Sequence, residues 1–402
     1  MREFEVAQGI ASLPREQWNA LAGDESPFLE WEWLASLEEA GCVGAGSGWE
    51  ARPLVVREGG RLVAACPLYV KAHSEGEFVF DYTWADAAER AGIRYYPKWL
   101  VGVPFTPVGG ARLLVAPDLG ATEAAALRDG LAAALRQVCE ESGFSGIHVN
   151  FCAERELEVL VDAGFQARLG LQYHWHNEAY LDFDDYLSRL RSKRRNQIRR
   201  ERREVAAQGV RVETFEADEI DDALFAPMYR FYLSTIRSRM WGRQYLNPRF
   251  FDLLRERFRH RLVFVVAFRG TEPIAGAFNV ASATALYGRY WGASESVRNL
   301  HFEVCYYAGI AHCIGRGLSR FEPGAGGEYK QVRGFDAQPT WSAHYLSDPR
   351  LHQAVGRFLE SERHDARDTI EWIRRRSALK AGDADASGDA PSSASAGSRL
   401  RR

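Results

Sequence analysis

Glu322, Lys330 and Arg333 fall in one stretch, RFEPGAGGEYKQVRGF, residues 320–335. A carboxylate that follows an apolar residue, then Pro and three Gly, then two cations, is the make-up of a strand end running into a loop that approaches a ligand. Just upstream lies Arg298-Asn-Leu-His301-Phe-Glu303-Val-Cys-Tyr306-Tyr307, and just downstream come Asp336, Thr340, Trp341 and His344. These residue types can move protons and hold a charged substrate. In α/β folds such groups collect where strand ends and a helix start converge. His301 and Glu303 are two apart and cannot share a helix face, so each is expected to meet Glu322 or His344 separately. Helix capping and hydrogen bonds at the core edge are the alternative use of the same residues.

Several familiar sites are excluded. His301-Phe-Glu303 is followed by no P-C-x-x-C, so it is not a zinc deaminase signature. Gly143-Phe-Ser-Gly is not a nucleophile elbow. The glycines near Lys330 lack the G-K-[ST] ending of a phosphate loop. His174 and His176 have no matching cluster of further ligands, so no metal is expected.

A second feature is cationic. RLRSKRRNQIRRERR, residues 189–203, holds nine Lys or Arg. Leu187, Leu190, Ile198 and Val205 leave a thin apolar stripe on a helix expected over 186–208. Its broad basic face, with Lys193, Arg194, Arg195 and Arg199, suits RNA, a nucleotide-linked precursor or anionic lipid headgroups. A merely solvated helix face is the alternative. A third feature is aromatic: Phe80-Asp-Tyr82-Thr-Trp84, Arg94-Tyr-Tyr-Pro-Lys98 and Val103-Pro-Phe-Thr-Pro-Val. Tyr82 and Trp84 suit an apolar or sugar-binding groove, or the core.

The elements that must position these residues form two similar sets. Leu54–Leu68 and Val265–Asn279 both read as β-hairpins, turning at Gly59 and Gly270. Gly143 and Gly317 each end a helix, 121–142 and 302–316, and precede a strand. The order repeats, which implies a tandem α/β unit. Domains are expected at 1–178 and 179–379, with a disordered Ala/Gly/Ser/Asp tail at 380–402.

The 402 residues carry a formal charge of −3, so a basic site must be local. Six scattered Cys read as reduced thiols. No apolar run is long enough for a transmembrane segment and the opening residues lack a signal-peptide core, so a cytoplasmic location is expected.

Together, Phe302-Glu303-x-Cys305-Tyr306-Tyr307-x-Gly309-Ile310 and Arg320-Phe-Glu-Pro-Gly to Lys330-x-x-Arg333-Gly-Phe335 resemble the signature of the FemAB-like, peptidoglycan biosynthesis/recognition family of bacterial predicted N-acyltransferases. Phe80-Asp81 to Trp84, Tyr95-Tyr-Pro-Lys98, Val103 to Gly110 and Ser26-Pro-Phe-Leu29 look like its first-half signature. The resemblance spans about residues 25–350. It implies two tandem GNAT-like acyltransferase domains with mixed, mostly antiparallel sheets. It also implies transfer of an acyl or aminoacyl group to an amine, with a peptidoglycan-type precursor as expected acceptor. Neither Trp291-Gly-Ala-Ser-Glu-Ser nor Gly109-Gly-Ala-Arg fits the pyrophosphate loop of an acetyl-CoA GNAT domain. No bound cofactor is expected; the donor would be acyl-CoA or aminoacyl-tRNA, the latter suiting the basic helix better. In that frame Glu322 or Glu303 is the candidate base, with His301 or His344 next. Tyr306, Tyr307, Lys330 and Arg333 are candidate donors or anion anchors. An inactive tandem-GNAT module that binds cell-wall precursor or RNA is the alternative, and a membrane-surface adaptor acting through the basic helix is a third.

Overall fold

The two expected hairpins organise the computed structural model, which describes residues 1–238 and 242–380. In order, the strands are β1 (Arg2–Val6), β2 (Trp49–Ala51), β3 (Leu54–Glu58), β4 (Arg61–Cys66), β5 (Leu68–Lys71), β6 (Lys98–Val101), β7 (Leu114–Val115) and β8 (Gly146–Cys152). There follow β9 (Gln166–His176), β10 (Arg211–Glu216), β11 (Leu262–Arg269), β12 (Glu272–Ala281), β13 (Ala285–Ala293), β14 (Arg320–Glu322) and β15 (Asp336–Leu346). β3–β4 and β11–β12 are the hairpins. They turn at Gly59-Gly60 and at Gly270, all with positive φ, which a side chain disfavours.

Each half contains one parallel strand pair, β6 with β8 and β13 with β14. A helix delivers the chain to each second strand. Ala121–Ser142 packs Leu127, Leu131, Leu135 and Cys139 inward at helical spacing and ends at Gly143 in the left-handed conformation. Ala308–Arg316 ends in the same way at Gly317.

The last strand of each half crosses into the other. In the eleven-stranded sheet the order is β10-β11-β12-β13-β14-β9-β15-β8-β6-β5-β2. So β9 completes the second half's sheet beside β14, and β15 completes the first half's beside β8. β9 and β15 pair antiparallel with each other, eleven residues each, on a local two-fold relation. A separate four-stranded sheet runs β1-β3-β4-β7.

The halves also share a core. Trp33 of helix Trp31–Glu39 meets Phe250 at 5.2 Å, and Phe28 meets Tyr287 at 5.3 Å, both edge to face. Arg257 and Glu39 close the rim with two 2.7 Å hydrogen bonds.

The basic helix departs from expectation. It is two helices, Phe183–Arg189 and Ser192–Ala207, with Leu190 and Arg191 extended between them. Leu190 is fully buried and bridges to Leu379, while the Arg191 N–H donates to the Ala378 carbonyl. The returning chain end thus takes main-chain groups that a continuous helix would use internally. Of the expected tail, residues 381–402 lie outside the described residues. Among the described residues no helix is long and apolar enough to cross a membrane.

Candidate active site

β13 and β14 pair only from Ala285/Arg320 to Tyr287/Glu322. Beyond that point β13 continues to Ala293 paired only with β12, while the chain leaves β14 through Pro323 and Gly324. Glu322 therefore sits where a parallel pair opens, at the carboxyl end of β14. Gly288 lets the chain leave closely here, since a Cβ on it would lie 3.2 Å from Pro323 Cα.

Glu322 is buried. Its Oε1 accepts from Arg320 Nε at 2.7 Å, and Arg320 also donates to the Tyr287 hydroxyl at 3.2 Å. Its Oε2 lies 3.6 Å from His174 Nε2 on β9, and neither of those atoms makes a hydrogen bond. Burial lowers the His174 pKa, against the pull of Glu322 and with the push of Arg320, so the imidazole is neutral at pH 7. The pair is a carboxylate facing a neutral imidazole rather than an ion pair.

The glycine-rich stretch follows. Gly324, Gly326 and Gly327 all have φ between +71° and +93°, so the loop needs glycine for its backbone. It leads into the short 3₁₀ helix Glu328–Arg333. Lys330 turns inward there, buried, and donates to the Gly324 carbonyl. Burial pulls its pKa down to about 8. Its charge also opposes protonation of His174 and His301.

His301, Tyr306 and the chain between them form the next wall. Residues Glu303–Tyr307 are a π-helical turn inside the helix that spans 300–316. Such turns re-aim side chains. His301 packs on Trp291 and Tyr306, with ring centroids 4.7 and 5.3 Å apart. Burial, then Arg333 and Lys330, push its pKa down to about 4. Tyr306 packs against Phe335 at 5.5 Å.

Behind this wall, Arg333, Tyr307 and Glu201 are mutually satisfied. Arg333 donates to both Glu201 oxygens at 2.9 and 3.0 Å and to the Tyr307 hydroxyl at 2.7 Å, and Tyr307 donates to Glu201. The Arg333 guanidinium also lies 3.4 Å from the centre of the Phe302 ring. This network fastens helix Ser192–Ala207 to the loop. Glu303 points elsewhere, to Arg202, whose Nε reaches both carboxylate oxygens at 3.1 Å. Burial raises its pKa and Arg202 opposes the rise.

The first half supplies the facing surface. The Arg289 guanidinium donates to the Phe105 carbonyl at 2.5 Å, and Gln172 donates to the Pro107 carbonyl at 2.8 Å. The Val103–Val108 segment is thereby held over β13 and β9. The Tyr287 hydroxyl reaches the Glu25 carbonyl at 3.2 Å.

Other expected residues lie apart. His344 is on β15, opposite Gln166, while His174 is eight residues further along β9. At about 3.4 Å per residue the two histidines are about 27 Å apart. His344 is buried against His148 instead, Nδ1 to Nδ1 at 2.7 Å, with Trp84 edge-on at 4.9 Å. Both imidazoles are held neutral, chiefly by burial, with His148 down to about 3. Beside them Lys98 is fully buried and donates to Ser74, Glu77 and Asp81 at 2.9, 3.0 and 2.5 Å. Trp84 is therefore core, whereas Tyr82 is exposed and stacks on Phe80. On the basic helix Lys193 and Arg199 are exposed, and Arg194 and Arg195 are half-buried. Arg199 pairs with Asp184 at 3.2 Å.

His174, Arg320, Tyr287 and Glu201 are the site residues that sequence reasoning missed or did not assign to this site. A signal for His174 existed: it and His344 are each the ninth residue of equivalent eleven-residue strands. Likewise Glu322 and His148 are each the fifth residue after the glycine that ends the preceding helix.

The FemAB-like family model, described as peptidoglycan biosynthesis/recognition, matches residues 9–381. No curated protein matches the chain. Among solved structures, FemX superposes with a TM-score of 0.54 at 11% identity, over 86% of this chain and 98% of its own. The C-terminal domain of a putative lysylphosphatidylglycerol synthetase from Agrobacterium fabrum gives 0.51 at 11%, over 85% and 94%. A tandem GNAT protein from the clavulanic acid biosynthesis pathway gives 0.42 at 13%, over 87% and 99%. The α/β architecture is the tandem GNAT-like fold.

Proposed function

Because the chain belongs to the FemAB-like family, we propose that it transfers an acyl or aminoacyl group to an amine on a peptidoglycan-type precursor, at the opening between β13 and β14. The observation that supports this most directly is the Glu322–His174 pair, whose Oε2 and Nε2 atoms are buried yet unpartnered where β13 and β14 part. Unpartnered buried polar atoms are costly and are tolerated where a ligand uses them.

In this reading Glu322 Oε2 takes one proton from the acceptor ammonium. The freed amine attacks the donor carbonyl carbon. The Lys330 ammonium, already turned toward the Gly324 carbonyl, meets the developing oxyanion. The carbonyl re-forms as the bond to the leaving oxygen or sulfur breaks, and the amine's second proton ends on that leaving group. His174 orients Glu322, and His301 and Tyr306 wall the acceptor. Glu303 is held by Arg202 and His344 by the first half's core, so neither is the base. Arg333 and Tyr307 support the loop through Glu201. The donor is acyl-CoA or aminoacyl-tRNA, with Lys193, Arg194, Arg195 and Arg199 as the surface for its polyanionic part. Tyr82, exposed beside Phe80, is a contact for the acceptor's distal part. Residues 1–178 and 179–379 act as two GNAT-like units that each lend a strand to the other, and the protein works in the cytoplasm.

The test is mass spectrometry of protein mixed with each donor class and peptidoglycan precursors. A mass-shifted acceptor that disappears with Glu322→Gln supports the reading. Precursor or RNA binding with no product from any donor favours a recognition module instead.

A further inference from the structure

The cations of the basic helix are not equivalent. Along its middle and end three of them are neutralised: Arg199 by Asp184, Arg200 by Glu204 and Arg202 by Glu303. At its first turn they are not. Arg191 and Arg194 line a cavity of ≈ 150 Å³ together with Arg376, Gln331 and Ser377. Among the described residues none of these three arginines has a carboxylate within ion-pair distance. Arg194 donates only to the Gln197 amide at 3.2 Å, and Arg376 lies over the Trp372 ring at 3.8 Å.

We propose that this cavity is a phosphate-binding pocket. Three arginines line a space several water molecules in size, at about 30 Å³ each. One guanidinium satisfies a carboxylate; three, two from one helix start and one from the chain end, match a tetrahedral oxyanion of higher charge. Like charges brought together without a counter-charge cost stability, and a bound phosphate removes that cost. The walls are fixed by main-chain contacts. The Arg191 N–H donates to the Ala378 carbonyl at 3.0 Å, and the Gln331 amide donates to the Ile373 carbonyl at 2.9 Å.

The pocket is coupled to the candidate site by its place in the chain. Gln331 follows Lys330 on the same 3₁₀ helix, and Arg333 grips Glu201 of the same basic helix. A phosphate here holds together the two elements that position Lys330. The ligand is a phosphate carried by a soluble precursor, as a monoester or diphosphate, or by a phospholipid headgroup. The assignment rests on the proposed transfer only for which substrate brings the phosphate; binding itself is independent of turnover.

The experiment is thermal unfolding of the full chain titrated with inorganic pyrophosphate, against sodium chloride at matched ionic strength. Vesicle co-sedimentation with phosphatidylglycerol or phosphatidylcholine runs in parallel. Pyrophosphate is expected to raise the unfolding temperature of the wild type beyond the chloride control. Arg194→Gln and Arg376→Gln should each weaken its apparent affinity roughly tenfold or more, from loss of a charge-assisted hydrogen bond. Arg200→Gln, outside the cavity, should not. Vesicle binding that needs phosphatidylglycerol and both cavity arginines assigns the phosphate to lipid; pyrophosphate binding without it assigns a soluble precursor. A response equal to chloride together with no arginine-dependent vesicle binding overturns the pocket. So does a pyrophosphate effect that survives both cavity substitutions. Transfer can fail with every donor while this response stands, and the reverse holds too, so the two readings are separately testable.

Discussion

Glu322 Oε2 and His174 Nε2 face each other at 3.6 Å, buried and unpartnered, although 148 residues separate them in sequence (322 − 174). Each comes from a different half of the chain. Glu322→Gln keeps the Arg320 contact and removes the basic oxygen. Transfer should fall roughly a hundredfold or more, the usual contribution of a positioned base, while the unfolding temperature holds. His174→Gln should cost less and shift the acid limb of the rate–pH profile. Unchanged turnover in Glu322→Gln with the fold intact would remove that residue from the mechanism.

Arg333 and Glu201 make a buried ion pair in which all three guanidinium nitrogens donate. Arg333→Met leaves Glu201 charged and without its guanidinium, and should lower stability by about 3–5 kcal/mol. The double variant Arg333→Met/Glu201→Leu should recover much of that loss. Denaturant unfolding of the three variants measures both quantities, and an additive result would show that the pair is not coupled.

Gly334 has φ +80°, and a Cβ there would lie 2.3 Å from the Tyr186 hydroxyl. That hydroxyl donates to the Arg333 carbonyl at 2.6 Å. Gly334→Ala should therefore cost at least about 1–3 kcal/mol from backbone strain alone, plus the displaced tyrosine. Chemical denaturation that places the variant within error of wild type would argue against this local geometry.

The buried first-half cluster sets a pH dependence. Burial raises the Glu77 pKa to about 7, against the pull of Lys98, while its ordinary value is 4.5. Between those values the folded state holds a proton that the unfolded state has released, so Glu77's contribution favours folding at low pH and is lost as pH rises toward 7. Across that window the wild type should lose up to about 3 kcal/mol of stability relative to Glu77→Gln. Stability measured at half-unit steps from pH 4.5 to 7.5 tests this, and a flat difference would contradict the sign.

The sequence by itself determined the parts whose causes are local. The hairpins follow from β-rich runs around Gly59 and Gly270, and helix Ala121–Ser142 from its apolar spacing and Gly143. The strand-to-loop reading of residues 320–335 follows from glycines that only positive φ explains. Part of the family signature is that last stretch. What the tertiary structure decided is non-local. The exchange of β9 and β15 between halves depends on pairing energies summed over a whole sheet, and no short stretch encodes it. That exchange brings His174 to Glu322 and takes His344 about 27 Å away. Glu303 and Arg333 are paired with Arg202 and Glu201, which come from a helix that reaches them only after folding. The break at Leu190 has the same origin, since the hydrogen bonds that replace the helix come from Ala378 and Leu379 at the far end of the described chain.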